Sequence, residues 1–240
     1  MFEADVSDKD VLPQHPPWDR EGRAALREAY QQRLESLQSV DEAVGRHVRL
    51  LRRLGELANT VVVFTSDNGY LLGEHRMLAK LWHVRESLEV PLVMRGPGIP
   101  RGFVARTLVT GVDLPVTFAS WARAAPGRVV DGQDLCPLIR AEHVSGSAEE
   151  RVLPIEAYPV LGGVRRLYAG IRVGDRFTYA RHRDGSEDLF DLRADPFELE
   201  SVDDDPAYAE VLAAARELTR TISDCTGEAC LPAVDFPATP

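Results

Sequence analysis

NTVVVFTSDNGYLLGEHRMLAKLWHVRESLEVPLVMRGPGI occupies residues 59–99 and carries the densest run of strand, turn and polar signals in the chain. Val61, Val62, Val63 and Phe64 form an apolar, β-branched run without alternation, which reads as a strand buried on both faces. The run stops at Ser66, Asp67 and Asn68, and in open α/β sheets ligands gather where strands end. Asp67 and Asn68 offer a carboxylate and an amide carbonyl side by side, hard oxygens that suit Ca2+ or Mg2+. Gly69 follows, as expected of a turn with positive φ or a close backbone approach. Asp-Asn-Gly is also a common turn that needs no ligand, so these residues alone leave both readings open.

Downstream come Gly73-Glu74-His75-Arg76, then Lys80, Glu86, a second apolar strand at Val90-Pro91-Leu92-Val93 and a break at Gly96-Pro97-Gly98. This succession closely resembles the sulfatase family of the alkaline phosphatase superfamily, in which a strand ending in S-D-N-G is followed by G-E-H, a lysine, a glutamate and V-P-L. The resemblance implies an α/β fold: part of an alkaline-phosphatase-like α/β/α sandwich, with a small C-terminal antiparallel sheet covered by a helix. It implies that Asp67 and Asn68 ligate a divalent cation, usually Ca2+, with Mg2+ the other candidate, and that Lys80 contacts the sulfate of a small sulfate-ester substrate. His75 stands either as support for that site or as a histidine hydrogen-bonded beneath the loop. In the related phosphate and phosphonate ester hydrolases a histidine often follows the aspartate, so Asn68 leans toward sulfate esters. Composition adds a hint at one position. Of the 28 basic residues only Lys9 and Lys80 are lysine, and a lysine in so arginine-biased a chain suggests a need for a compact ammonium rather than a planar fork.

A net charge of −10 and a pI near 5.1 argue against a nucleic-acid partner, which calls for a basic face. No apolar run approaches the ~20 residues that span a bilayer, and the acidic start MFEADVSDKD is not a signal peptide, so the compartment is left unassigned. Three cysteines are too few for a disulfide framework. Cys225 and Cys230 are near enough to close a small loop, but spacing alone leaves that bridge open. Cys136, in DLCPL, reads as a buried thiol.

Residues 1–19, rich in Asp, Pro and His, read as an irregular solvated loop in which Asp5, Asp8 and His15 are not ligands. Over 20–54, Leu26, Tyr30, Leu34, Leu37, Val44, Val48 and Leu51 recur at helical spacing and predict one long amphipathic helix, bent at most near Gly45, whose apolar face packs. Thr107-Leu108-Val109 reads as a short strand. Asp113 reads as the N-cap of a helix with Pro115 in its first turn, ending about 124. A change of character near 145–148 divides the chain into a 1–147 unit, the later part of the catalytic domain, and a 148–240 unit. In the second, strand-like runs at 152–158, 166–172 and 176–181 are separated by Gly-Asp or Asp-Gly turns where the runs are close. Asp188-Leu189-Phe190-Asp191-Leu192 and Asp195-Pro196-Phe197-Glu198-Leu199 follow, then a helix over 206–222. This order resembles the sulfatase C-terminal subdomain, where a D-L-x-x-D-P-x-E-L phrase precedes the last helix.

Sulfatases attack sulfur with a formylglycine made from Cys or Ser in a C/S-x-P-S-R motif, and no such motif occurs here. Two oxygen ligands also fall short of the roughly 6–8 that Ca2+ takes. The resemblance therefore implies the C-terminal half of a sulfatase, its other half truncated away or separately encoded, and inactive alone. A phosphate or phosphonate ester hydrolase, and a fold remnant that only binds, are the alternative readings.

Overall fold

In the computed structural model the described residues are 6–9, 16–140, 151–159, 165–232 and 236–237. Helix α1, Arg20–Arg53, opens where the Asp19 carboxylate accepts the backbone N–H of Gly22 at 2.7 Å, and closes with Arg52 and Arg53 in its last turn, where cations favour the dipole. It runs through Gly45 without a break. Its apolar stripe is not packed as expected. Leu26 is the one buried residue, while Tyr30, Leu34 and Leu37 are 53%, 47% and 52% exposed. The N-terminal end of α1 is seated on the next unit by Trp18, whose indole N–H donates to the Gly73 carbonyl, and by Arg33, stacked 4.6 Å over the Tyr70 ring.

Strand β1, Val62–Thr65, leads to a small hairpin of β2, Leu71–Leu72, and β3, Leu78–Ala79. A single helical turn, α2, Arg85–Leu88, then precedes β4, Leu92–Arg95, which lies antiparallel to β1 with Val63 opposite Met94. The expectation of a strand buried on both faces is corrected here. Phe64 is 39% exposed and Val93 60%, while Val62, Val63, Leu92 and Met94 are half-buried, because a two-stranded ladder is only partly covered by the described residues. Residues 107–109 form no strand, since the Leu108 carbonyl accepts from the Arg151 guanidinium instead of a ladder partner. The segment starting at Val6 is not a solvated loop: Val6 and Lys9 are buried, the Asp8 carboxylate accepts from Ser201 N at 2.8 Å, and the Lys9 ammonium donates to the Leu199 carbonyl. Asp5 and His15 lie outside the described residues.

Helix α3, Asp113–Trp121, begins at Asp113, which is not the N-cap the sequence suggested. The Asp113 carboxylate is fully buried and accepts from Thr110 N, Gln133 N and both terminal nitrogens of Arg151, all at 2.8–2.9 Å. A short helix, α4, Cys136–Arg140, starts where Asp134 accepts the N–H of Cys136. The boundary expected at 147/148 falls in 141–150, outside the described residues.

The C-terminal unit is as read. Strands β5, Val152–Ala157, β6, Tyr168–Val173, β7, Phe177–His182, and β8, Glu187–Asp191, form an antiparallel sheet in sequence order. Helix α5, Ala209–Ile222, lays Val211, Ala215 and Ile222 against Ile171, Phe177 and Leu189 of the sheet. Cys225 and Cys230 are bridged, and Cys136 is a buried free thiol. Among the described residues no helix is long and apolar enough to cross a membrane.

Two outcomes follow. Asp113→Ala strands a buried guanidinium and two N–H groups, so urea unfolding of the chain is expected to show a loss of about 3–5 kcal/mol. Thiol titration of the oxidised, denatured chain is expected to find Cys136 alone, and all three cysteines after reduction.

Candidate functional site

The end of β1 is a compact turn built by its own side chains. Ser66 Oγ donates to the Asn68 carbonyl at 3.0 Å and the Asn68 N–H donates to Asp67 Oδ1 at 3.0 Å. Asn68 Nδ2 donates to the Gly69 carbonyl at 2.8 Å, and its Oδ1 accepts from Lys80 Nζ at 2.6 Å. With each end of the amide assigned a partner of the right kind, its orientation is determined. Gly69 is required by close approach rather than by a left-handed turn. A Cβ there would lie 2.1 Å from the Glu86 carbonyl oxygen, and the Gly69 N–H donates to the Ser87 carbonyl. The backbone of the turn is thereby fastened to α2.

Gly73-Glu74-His75-Arg76 caps the β2–β3 hairpin, whose small core is Leu71, Met77 and Val84. Glu74 folds back so that its carboxylate accepts the Leu72 N–H. His75, Arg76, Ala79 and Leu81 all have positive φ, between 49° and 79°. Non-glycine residues in that region cost of order 1–3 kcal/mol each and gather at binding sites. Here they bend the chain so that Lys80 reaches back to Asn68. His75 is buried, with Nε2 3.4 Å from Glu86 Oε2. Burial would raise the Glu86 carboxyl, but the hydrogen bond and charge of His75 outweigh it and hold it below its ordinary value. Both residues thus brace the turn from beneath.

Asp67, Asn68 and Lys80 therefore share one exposed tip, whereas His75 lies under it. As cation ligands, the oxygens of Asp67 and Asn68 are right in kind and few in number. Lys80 also walls an open cleft of about 520 Å3 with Leu81, Trp82, Leu167, Tyr168 and His182.

Sequence reasoning missed how the segment after Lys80 is anchored. Glu198, in the D-P-x-E-L phrase, is fully buried and accepts from Arg85 N at 2.6 Å and Thr178 Oγ1 at 2.6 Å, and burial pushes its carboxyl up against those bonds. Arg172 reaches across to Glu89 at 2.9 Å. His83, His182 and Asp188 meet in the interior. Apart from His182 and Asp188, which face each other across the β7–β8 hairpin, these pairings join residues far apart in sequence, so no spacing announces them. The available signal was an acidic residue on each side of an apolar Leu-Phe pair in β8, Asp188 and Asp191, both of them buried.

Replacing Gly69 by Ala forces the turn off α2 by more than a side chain can absorb. The expected result is a loss of about 1–3 kcal/mol in urea unfolding, with a matching rise in proteolysis at 66–70.

Comparison with known proteins agrees with this layout. The family model for Sulfatase matches residues 4–124, and that for N-sulphoglucosamine sulphohydrolase, C-terminal, matches 73–224. An N-acetylglucosamine-6-O-sulfatase of Bacteroides thetaiotaomicron is 31% identical over 200 residues, 80% of this chain and 36% of the relative. A solved structure described as a complex with its substrate D-glucosamine-2-N,6-O-disulfate superposes with a TM-score of 0.69 at 28% identity, over 77% of this chain and 38% of the other. The phosphonate monoester hydrolase of Agrobacterium radiobacter gives 0.65 at 28% identity, over 74% and 38%. The chain thus spans well under half the length of each relative. It belongs to the sulfatase family.

Proposed function

We propose that Asp67, Asn68 and Lys80 form one side of the active centre of a sulfate monoester hydrolase that releases an alcohol and inorganic sulfate. The observation that carries this reading is the 2.6 Å contact of Lys80 Nζ with Asn68 Oδ1, which sets an ammonium on a hard oxygen next in sequence to the Asp67 carboxylate at a strand end. Three of the relatives are named as N-acetylglucosamine-6-sulfatases and one solved neighbour holds a sulfated glucosamine, so a sulfated amino sugar is the substrate class we put first.

In this reading Asp67 and Asn68 hold a divalent cation, Ca2+ ahead of Mg2+, with further ligands from polypeptide beyond these 240 residues. That polypeptide, in the same chain or separately encoded, also covers the apolar stripe of α1. The cation would neutralise the ester's non-bridging oxygens, and a formylglycine, whose motif is absent here, would supply the nucleophile. Lys80 adds a compact positive charge where negative charge grows in the transition state, and its bond to Asn68 holds the amide oxygen in place. His75 and Glu86 keep the turn from collapsing when charge enters above it.

A second reading, phosphate or phosphonate monoester hydrolysis, draws on the similarity to the phosphonate monoester hydrolase. In the complete enzyme, Lys80→Ala is expected to lower kcat on a chromogenic aryl sulfate by about 10²–10³-fold, and Asp67→Asn to weaken cation dependence. Parallel assays on aryl phosphate and phosphonate esters separate the two readings: higher kcat/KM on either of them transfers the assignment. The 240-residue chain alone is expected to turn over no aryl sulfate with or without Ca2+, and turnover by it would refute a nucleophile lying elsewhere.

A further inference from the structure

Away from the tip, two imidazoles and one carboxylate converge in the interior. His83 and Asp188 are fully buried and His182 is 7% exposed. His83 Nε2 and His182 Nε2 stand 3.0 and 2.9 Å from the same oxygen, Asp188 Oδ2. The His182 contact is a hydrogen bond, whereas that of His83 lies off the hydrogen-bond line, so neither ring nitrogen of His83 is satisfied, and neither is Asp188 Oδ1. Buried polar atoms left in this state bear the cost of desolvation with no bond to offset it. Rings surround the group: Tyr168 sits edge-on to His83 at 5.5 Å and Phe190 is stacked on it at 6.0 Å.

We propose that His83, His182 and Asp188 bind a zinc ion that ties the strap carrying Lys80 to the C-terminal sheet. One ligand atom from each residue lies within 4.8 Å of the others. Ligands around a tetrahedral zinc at 2.0–2.1 Å stand about 3.3 Å apart, so the two nitrogen-to-oxygen separations need to open by only a few tenths of an ångström. A nitrogen that is near an oxygen but not aimed at it suits two ligands facing a third atom. Two imidazoles and a carboxylate select zinc over Ca2+ or Mg2+, which take oxygen. This ion is therefore separate from the cation of the exposed tip. His182 also lines the cleft beside Lys80, which provides a way in from solvent. The ligands come from the strap before α2 and from β7 and β8, so binding crosslinks residues about a hundred positions apart.

The test is a Co2+ and Zn2+ titration of the full chain after dialysis against a chelator. One Co2+ per chain is expected, with the intense visible absorption of low-coordinate cobalt, displaced by Zn2+. Zinc absorption fine structure should report two imidazole ligands. His182→Ala and Asp188→Asn should each weaken binding by more than about 100-fold, while Asp67→Asn should leave the cobalt spectrum unchanged. The spectroscopy of the wild-type chain reads the site even if a variant fails to fold. Failure of the folded chain to bind more Co2+ or Zn2+ than the urea-unfolded chain would overturn the proposal, as would an unchanged cobalt spectrum in a folded His182→Ala chain. Loss of the spectrum in Asp67→Asn would place the metal at the tip and overturn it equally.

Discussion

Residues 80–89 must serve two surfaces at once, and the rest of the structure is arranged around that demand. Above, Lys80 holds the Asn68 amide at the exposed tip. Below, the same segment is pinned to the C-terminal sheet by charge: the Arg85 N–H on Glu198, Glu89 on Arg172, and His83 against Asp188. Buried carboxylates are costly when alone and geometrically exacting when paired, so with Leu81 packed against Ala157, Tyr168 and Ala180 they hold the segment in one register. The C-terminal sheet acts as the floor on which half of the site stands.

The floor is well packed, and what lies over the tip is not. The sheet and α5 share a continuous core, whereas α1 exposes an apolar stripe and the β1–β4 ladder leaves Phe64 and Val93 open. Contiguous apolar surface of this kind marks a contact face. It lies on the same unit as the two cation-type oxygens that fall short of a full shell. Both features fit the function proposed above for a chain that spans well under half the length of its relatives.

Local signals carried far. The helical spacing from Leu26 to Leu51 foretold α1, and the turn-punctuated runs foretold an antiparallel sheet and three of its four strands, because each depends on neighbours in sequence. Asp67, Asn68 and Lys80 were legible as a group through a family pattern, and the fold brings Lys80 to Asn68. Other readings failed where a distant partner decided. Asp113 is capping chemistry by its neighbours, but Arg151 makes it a buried hub. Residues 107–109 look like a strand until the Leu108 carbonyl is given to that same arginine.

Apart from the role of Lys80 and the missing nucleophile motif, which came through the family resemblance, the residues alone supplied most element types and the hard-oxygen turn after β1. These follow from periodicity, side-chain chemistry and short-range spacing. Tertiary structure alone decided that Gly69 is needed for its contact with α2, that Cys225 and Cys230 are joined, and that His83, His182 and Asp188 meet. Each of those depends on where two backbones cross, a property of the packed chain that no window of sequence encodes.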